Sequence, residues 1–396
     1  MSTFKISDSV IYVGADDKKL DLFESQYKIP DGVSYNSYVI KDEKIVVMDT
    51  VDNRATDHWF DNLEEAFDGK APDYLVISHL EPDHAGNIQR FLNKYPDTIV
   101  VTNAKAFAML PQFFDLQLDD SKKLVVKEGG TLNIGKHTLT FVMAPMVHWP
   151  EVMVTYEQSE KILFSADGFG KFGALNGQIT YCGNDDKEWA EEARRYFINI
   201  VGKYGTSVQA LLKKASTLDI KTIAPLHGPV LTDNLGYFID KYMTWSSYKP
   251  EHKGTVVAYS SIHGNTAVAA KKMVEIIKDN GEENVEVFDL SRDDMAQAVA
   301  KAFEYDKLVL AGITYDGALM PCMEDYLYHL KVKNFQSRKV AIIENGTWGP
   351  VAGNLMKKYL EGMKDINICA NVVTIKSVMN TQNQEQMAEL AKELLN

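Results

Sequence analysis

Tyr74-Leu75-Val76-Ile77-Ser78-His79-Leu80-Glu81-Pro82-Asp83-His84-Ala85-Gly86 is the stretch from which the rest of the chain is read. A short apolar run with the pattern of a buried strand ends in four metal-ligating residue types, His79, Glu81, Asp83 and His84. Side chains alternate along an extended segment, so His79 and Glu81 project to one side, whereas Asp83 and His84 fall where the next helix begins. That split offers two groups of donors to two neighbouring ions. Taken singly, Asp83 reads as a helix cap and His79 as a core-edge imidazole. Clustered at one strand end, the four read as ligands.

Three further apolar strand ends supply more donors: Met143-Ala-Pro-Met-Val-His148-Trp-Pro, Ile162-Leu-Phe-Ser-Ala-Asp167-Gly168 and Ile223-Ala-Pro-Leu-His227-Gly228. The candidate set is therefore His79, Glu81, Asp83, His84, His148, Asp167 and His227, three carboxylates and four imidazoles. Such a mixed oxygen and nitrogen environment suits non-haem iron, while ligand type alone leaves zinc and manganese open. His58, His137, His252 and His329 lie in amphipathic or linker segments without clustered partners and are read as surface or packing residues.

The texture changes at the polar run 246–254, which carries Pro250 and Gly254 and reads as a linker between domains 1–249 and 250–396. Before it, strands at 36–40, 44–49, 74–78, 98–102, 137–144, 152–156 and 161–165 mix with helices near 56–67, 84–94, 104–113 and 186–203. That mixture predicts an α+β sandwich of four layers, two sheets with helices outside. After it, strands at 255–259, 284–290, 307–312, 339–344 and 369–375 alternate with helices near 266–279, 293–303, 321–333, 351–362 and 383–395. Regular alternation predicts an α/β domain, a doubly wound parallel sheet covered on both faces.

Ser260-Ser-Ile262-His263-Gly264-Asn265-Thr266 follows the strand at 255–259 and opens a helix. Hydroxyls, a glycine turn and a helix N-terminus form a cradle for an anion. The absence of a Walker lysine argues against a nucleoside triphosphate, and the absence of spaced glycines against a dinucleotide, so a monophosphate is expected.

Hydrophobic residues at 45% and charged residues at 24% describe an ordinary globular chain of 396 residues. With 42 Lys and Arg against 55 Asp and Glu, the net charge of −13 argues against nucleic acid as a partner. No secretory leader or membrane-spanning stretch is recognisable, which predicts a soluble, cytoplasmic protein. Cys182, Cys322 and Cys369 are too far apart for a metal knuckle and are read as buried thiols.

His-x-Glu-x-Asp-His at 79–84, the later His148, Asp167 in a Ser-Ala-Asp-Gly-Phe context and His227 in His-Gly-Pro resemble the flavodiiron version of the metallo-β-lactamase fold. Gly32-Val-Ser-Tyr-Asn-Ser-Tyr and His148-Trp-Pro-Glu extend the likeness along the chain. Hydrolytic relatives typically carry His where this chain has Glu81. The resemblance implies His79, Glu81 and His148 on one iron, Asp83, His84 and His227 on the other, and Asp167 bridging, with Tyr27 at the edge of the site. It implies FMN in the second domain, held by Ser260, Ile262, His263, Gly264, Asn265 and Thr266. The loops Thr314-Tyr315-Asp316-Gly317 and Asn345-Gly346-Thr347-Trp348-Gly349 would flank the ring, Trp348 stacking on it. Many relatives have a Ser-Pro-Thr second loop where this chain has Gly312-Ile-Thr.

The implied activity is reduction of dioxygen to water, of nitric oxide to nitrous oxide, or of both, with electrons passing from an external donor to FMN and on to the two irons. No Cys-x-x-Cys pair follows the flavin domain, so a separate rubredoxin is the expected donor, with reduced deazaflavin as the alternative. A head-to-tail homodimer is expected, with a dimer of dimers as the larger assembly. Two rival readings are a di-zinc hydrolase fused to a flavodoxin module and a metal-free scaffold carrying a flavin shuttle. Glu81 and the acidic balance oppose the first, and seven intact ligand-type residues oppose the second.

Overall fold

The computed structural model describes residues 3–116, 118–181, 183 and 186–396. Two compact units emerge, Met1–Phe197 with Tyr204–Met243, and Ile198–Lys203 with Thr244–Asn396. The division thus comes a few residues before the expected 249/250 boundary, and the short segment 198–203 belongs with the second unit. Tyr248 donates its hydroxyl to the carbonyls of Gly202 and Lys203, and Arg338 donates to the Tyr248 carbonyl, so the polar run is tied down within that unit.

In the first unit, a seven-stranded sheet runs Phe4–Lys5, Val10–Tyr12, Tyr38–Lys41, Ile45–Met48, Tyr74–Val76, Ile99–Asn103 and Lys123–Val126 in spatial order. A five-stranded sheet runs Thr131–Asn133, Thr138–Met143, Met153–Glu157, Ile162–Phe164 and Thr222–Ala224. Period-two alternation builds the core between them. Tyr38, Ile40, Val46, Met48, Val76 and Val101 meet Leu139, Phe141, Met153, Ile162, Phe164 and Ala224. Val39, Val47, Leu75 and Val100 point the other way and are also buried, so the first sheet is covered on both faces.

Two parallel pairings position the strand ends. Phe164 registers with Ala224, so the segments leading to Asp167 and His227 leave their sheet side by side. Met48 registers with Val76, so Asp49 leaves beside Ile77 and Ser78.

Two expected helices are broken. The segment 84–94 divides into Pro82–Ala85 and Ile88–Lys94, because Asn87 turns its amide inward to the Val51 carbonyl and accepts from Thr56. The segment 186–203 is α-helical over Asp186–Tyr196, then π-helical over Phe197–Val201 and 3₁₀ over Gly202–Tyr204. His137 is buried with partners on several turns. Its Nδ1 lies 2.6 Å from Asp42 Oδ2 and its Nε2 lies 3.1 Å from Ser9 Oγ, while Ser9 donates to Glu160. It packs as expected, but within a polar cluster that sequence spacing did not reveal. Cys369 is buried, Cys322 is only partly so, and Cys182 lies outside the described residues.

The second unit is a parallel sheet ordered Val285–Asp289, His252–Tyr259, Tyr305–Tyr315, Lys339–Asn345 and Asn367–Ile375. Ala318–Leu319 folds back antiparallel on the end of Tyr305–Tyr315. On one face, Val257, Tyr259, Val309 and Ile343 pack against Ala269, Met273, Ile277, Met387 and Leu390 of two helices. Strand order reverses between His252–Tyr259 and Tyr305–Tyr315, and ligands of doubly wound sheets bind beyond the carboxyl ends at such a switch point.

Candidate metal centre and flavin loops

The loop after Tyr74–Val76 is gripped before it reaches its first donor. Asp49 accepts from the Ser78 backbone N–H at 2.6 Å and from the Ser78 hydroxyl at 2.7 Å. Glu81 occupies the cap position of the one-turn helix Pro82–Ala85, with Pro82 at its first position, which brings Asp83 and His84 inward. Asp83 caps nothing: both its oxygens are buried without a hydrogen-bond partner.

His227 is oriented by Ser34, whose carbonyl accepts from Nδ1 at 2.7 Å, leaving Nε2 to face the cluster. The Ser34 hydroxyl accepts from Gly228 N–H, Asn36 donates to the Pro225 and Gly228 carbonyls, and the Tyr38 hydroxyl donates to Pro225. The segment 32–38 is therefore the clamp of the His227 loop.

Six donors fall into two triplets, His79 with Glu81 and Asp167, and Asp83 with His84 and His227, the donor atoms of each lying within 4.8 Å of one another. His148 joins the first, its Nε2 being 2.7 Å from Glu81 Oε2 and 3.2 Å from Asp167 Oδ2. Asp167 faces both groups: Oδ2 is 3.3 Å from His79 Nε2, and Oδ1 is 3.6 Å from His84 Nε2. His84 Nε2 and His227 Nε2 approach to 2.9 Å. The structure thus brings all seven sequence-predicted donors together.

These groups perturb one another strongly. Burial opposes charge on Glu81, yet the hydrogen bond with His148 and the proximity of the His79 ring, 3.7 Å away, hold it down to about 2. Burial, reinforced by Glu81, pushes Asp83 up to about 6. Burial works against protonated His148, but Asp167 and Glu81 raise it to about 10, whereas burial and His227 push His84 down. Carboxylates and imidazoles packed this closely compete for protons, and a metal would compete for the same lone pairs. The residues fit metal ions on a further observation: both nitrogens of His79, both oxygens of Asp83 and Oδ1 of Asp167 are buried and have no hydrogen-bond partner.

Ser260 and Thr266 open the switch-point crevice of the second unit. Both hydroxyls are buried and lack a hydrogen-bond partner. Thr266 is the second residue of the helix Asn265–Asp279, and Gly264 turns the chain into that helix at φ +90°. Two unspent hydroxyls at a long helix's N-terminus fit a phosphate. Ile262, His263 and Gly264 are exposed on that turn and Asn265 partly so.

Tyr315-Asp316-Gly317-Ala318 is a tight hairpin with φ of +48° and +73° at its two central residues. Thr314 is spent locally, its hydroxyl accepting from the N–H groups of Val351 and Ala352 at the start of the helix Ala352–Glu361. Asn345 exchanges hydrogen bonds with Ser377, and Thr347 meets the Ser377 hydroxyl. Gly346 is required by its neighbour, because a Cβ there would sit 2.8 Å from Pro350 Cα, whereas Gly349 faces open space. Trp348 is 95% exposed and packs in no turn.

Residues 33–228 match the ODP family beta lactamase. Over 355 residues the chain is 31% identical to the anaerobic nitric oxide reductase flavorubredoxin of Aliivibrio salmonicida, covering 87% of this chain and 70% of that protein. The chain belongs to the flavodiiron protein family. Among solved structures, rubredoxin oxygen:oxidoreductase from Desulfovibrio gigas superposes with a TM-score of 0.93 at 26% identity, covering 99% of this chain and 98% of that one. The flavodiiron protein from Giardia intestinalis gives 0.90 at 26% identity, covering 100% and 97%. Like these flavodiiron relatives, the chain is an oxidoreductase built from a β-lactamase-like domain and a parallel-sheet domain.

Several residues of this flavodiiron site escaped the sequence reading. Asp49 ends an apolar strand, a signal that was present but read only as a strand terminus. Tyr35 packs edge-on to His84 and His227, with ring centroids 6.4 and 6.2 Å away, and Tyr196 packs 5.4 Å from His227 with its buried hydroxyl unpartnered. Tyr27 is buried in the hairpin formed by Leu22–Phe23 and Tyr27–Lys28. Ser377 and the exposed Val378 make a further strand-end loop that the sequence reading did not include. No described helix is long and apolar enough to cross a membrane.

Proposed function

We propose that the chain reduces dioxygen, nitric oxide or both at two irons held by the seven donors, with FMN in the second unit relaying electrons from an external donor. The observation that carries this reading is Asp167, whose two oxygens face two separate donor groups. His79, Glu81 and His148 would hold one iron and Asp83, His84 and His227 the other, with Asp167 shared. Such a pair of irons, when bound, would supply reducing electrons and polarise a diatomic substrate. The chain's own residues do the rest: Asp49 and Ser34 orient the segments that carry His79 and His227.

FMN would seat its phosphate on Ser260, Thr266 and the backbone from Ile262 to Asn265. Its ring would lie between the Tyr315–Gly317 hairpin and the Gly346–Gly349 loop, against the Trp348 indole. The thread to rubredoxin is the activity for which the Desulfovibrio gigas protein is named, and the thread to nitric oxide that for which the flavorubredoxins are named. On the same footing we propose a cytoplasmic head-to-tail homodimer. A monomer in sedimentation with undiminished electron transfer from FMN to iron would overturn that assembly.

Steady-state consumption of each gas at an electrode, with iron-loaded, FMN-loaded protein and reduced rubredoxin or deazaflavin, tests the function. Uptake of at least one gas is expected. Uptake of neither, or zinc retention with ester cleavage, would overturn it.

A further inference from the structure

Three of the seven donors, His79, Glu81 and His148, hang from two segments of chain, 78–81 and 148–151, and one buried side chain joins those segments. Glu151 lies three residues after His148, is 2% exposed, and accepts the Leu80 N–H on Oε1 at 2.9 Å. Its own backbone is pinned by Asn103, whose Nδ2 donates to the Glu151 carbonyl at 2.6 Å. Beside it, Met153 N–H donates to the Ser78 carbonyl at 3.0 Å. The residues on either side of His79 are therefore held by two carboxylates, Asp49 on Ser78 and Glu151 on Leu80.

The second oxygen of Glu151 is buried with no hydrogen-bond partner, and among the described residues no Lys, Arg or His forms an ion pair with it. A buried carboxylate without a cation is costly, and an apolar side chain would pack there without that cost. An apolar side chain would, however, leave the Leu80 N–H without its acceptor.

We propose that Glu151 is a positioning residue that fixes His79 and Glu81 relative to His148 and thereby sets the affinity of one of the two metal positions. This rests on the metal reading above. Asp83, His84 and His227 depend on the Pro82–Ala85 turn and the Ser34 clamp instead, so their position is predicted to be indifferent to Glu151.

The test uses full-length protein carrying FMN, stripped of metal and titrated anaerobically with iron(II) against a competing chelator, and separately with cobalt(II) followed by its visible absorption bands. Wild type, Glu151→Gln and Glu151→Ala are compared, with flavin content and circular dichroism reporting the fold. Wild type is expected to bind two equivalents. Glu151→Ala should weaken one of them about 10–100-fold, the loss typical when a ligand's supporting partner is removed, and leave the other unchanged.

Glu151→Gln keeps an acceptor for Leu80 and should stay within about threefold of wild type, altering the cobalt bands little. If Glu151→Ala does not fold, Glu151→Gln decides alone: near-wild-type binding of both equivalents supports the proposal, and loss of one overturns it. Unchanged binding in Glu151→Ala, equal weakening of both equivalents, or equal loss in the two variants overturns it too. Wild type that binds no metal overturns the metal reading itself, a result distinct from all of these.

Discussion

Replacing Thr266 by Val should move stability and flavin binding in opposite directions. Thr266 is 1% exposed and sits in the first turn of Asn265–Asp279, and its buried hydroxyl has no hydrogen-bond partner. A buried hydroxyl left unpaired costs about 1–3 kcal/mol, and valine has the same branched shape without it. The flavin-free variant should thus be as stable as wild type or up to about 1–3 kcal/mol more stable. Phosphate binding should lose a hydrogen bond to a charged group, about 1.5–3 kcal/mol. At 1.4 kcal/mol per decade that is a rise of roughly 10–150-fold in the Kd for FMN. Calorimetry of the flavin-free proteins gives the first quantity, and titration of free FMN fluorescence gives the second. An unchanged Kd, or a flavin-free variant destabilised by more than about 1 kcal/mol, would refute the assignment of this hydroxyl to the phosphate.

Asp167→Asn removes the charge shared by the two triplets, and chelator competition should show weaker binding at both metal positions, beyond the roughly 10–100-fold that loss of a supporting partner costs. Weakening of one position only would contradict a bridging role. Tyr196→Phe deletes a buried, unpartnered hydroxyl beside His227; the metal-free protein should not lose stability, while gas consumption should fall about 10²-fold if that hydroxyl serves the reacting ligand. Burial opposes charge on Asp42, but hydrogen bonds from the His137 ring and backbone N–H hold its carboxyl below the usual range. A depressed carboxylate stabilises the fold above its unfolded value of about 3.9 and loses that contribution as pH falls through the folded value. Urea unfolding between about pH 5 and pH 3 should therefore show a steeper acid loss for wild type than for Asp42→Asn, and parallel profiles would contradict this.

The strand ends were legible because apolar runs such as Tyr74–Ile77 and Ile162–Phe164 stop abruptly at polar, Gly- or Pro-flanked turns. That contrast picked out the seven candidate donors that the fold brings together, and alternation separated His79 and Glu81 from Asp83 and His84. Lys123–Val126 and Thr131–Asn133 were not recognised as strands: each lies at a sheet edge, half exposed, with little contrast to read. Tyr35 and Tyr196 reach the ligands only through tertiary packing, which periodicity does not encode. Thr314 shows the same limit on the flavin side, since only the fold reveals that its hydroxyl is spent on the helix at Ala352.

Anomalous X-ray diffraction of iron-loaded crystals, collected on either side of the iron absorption edge, asks directly whether the seven side chains hold a metal pair. Two iron peaks per chain are predicted, one within reach of His79, Glu81 and His148 and one within reach of Asp83, His84 and His227, each beside an oxygen of Asp167. A single peak, peaks elsewhere, or none in well-folded protein would contradict it.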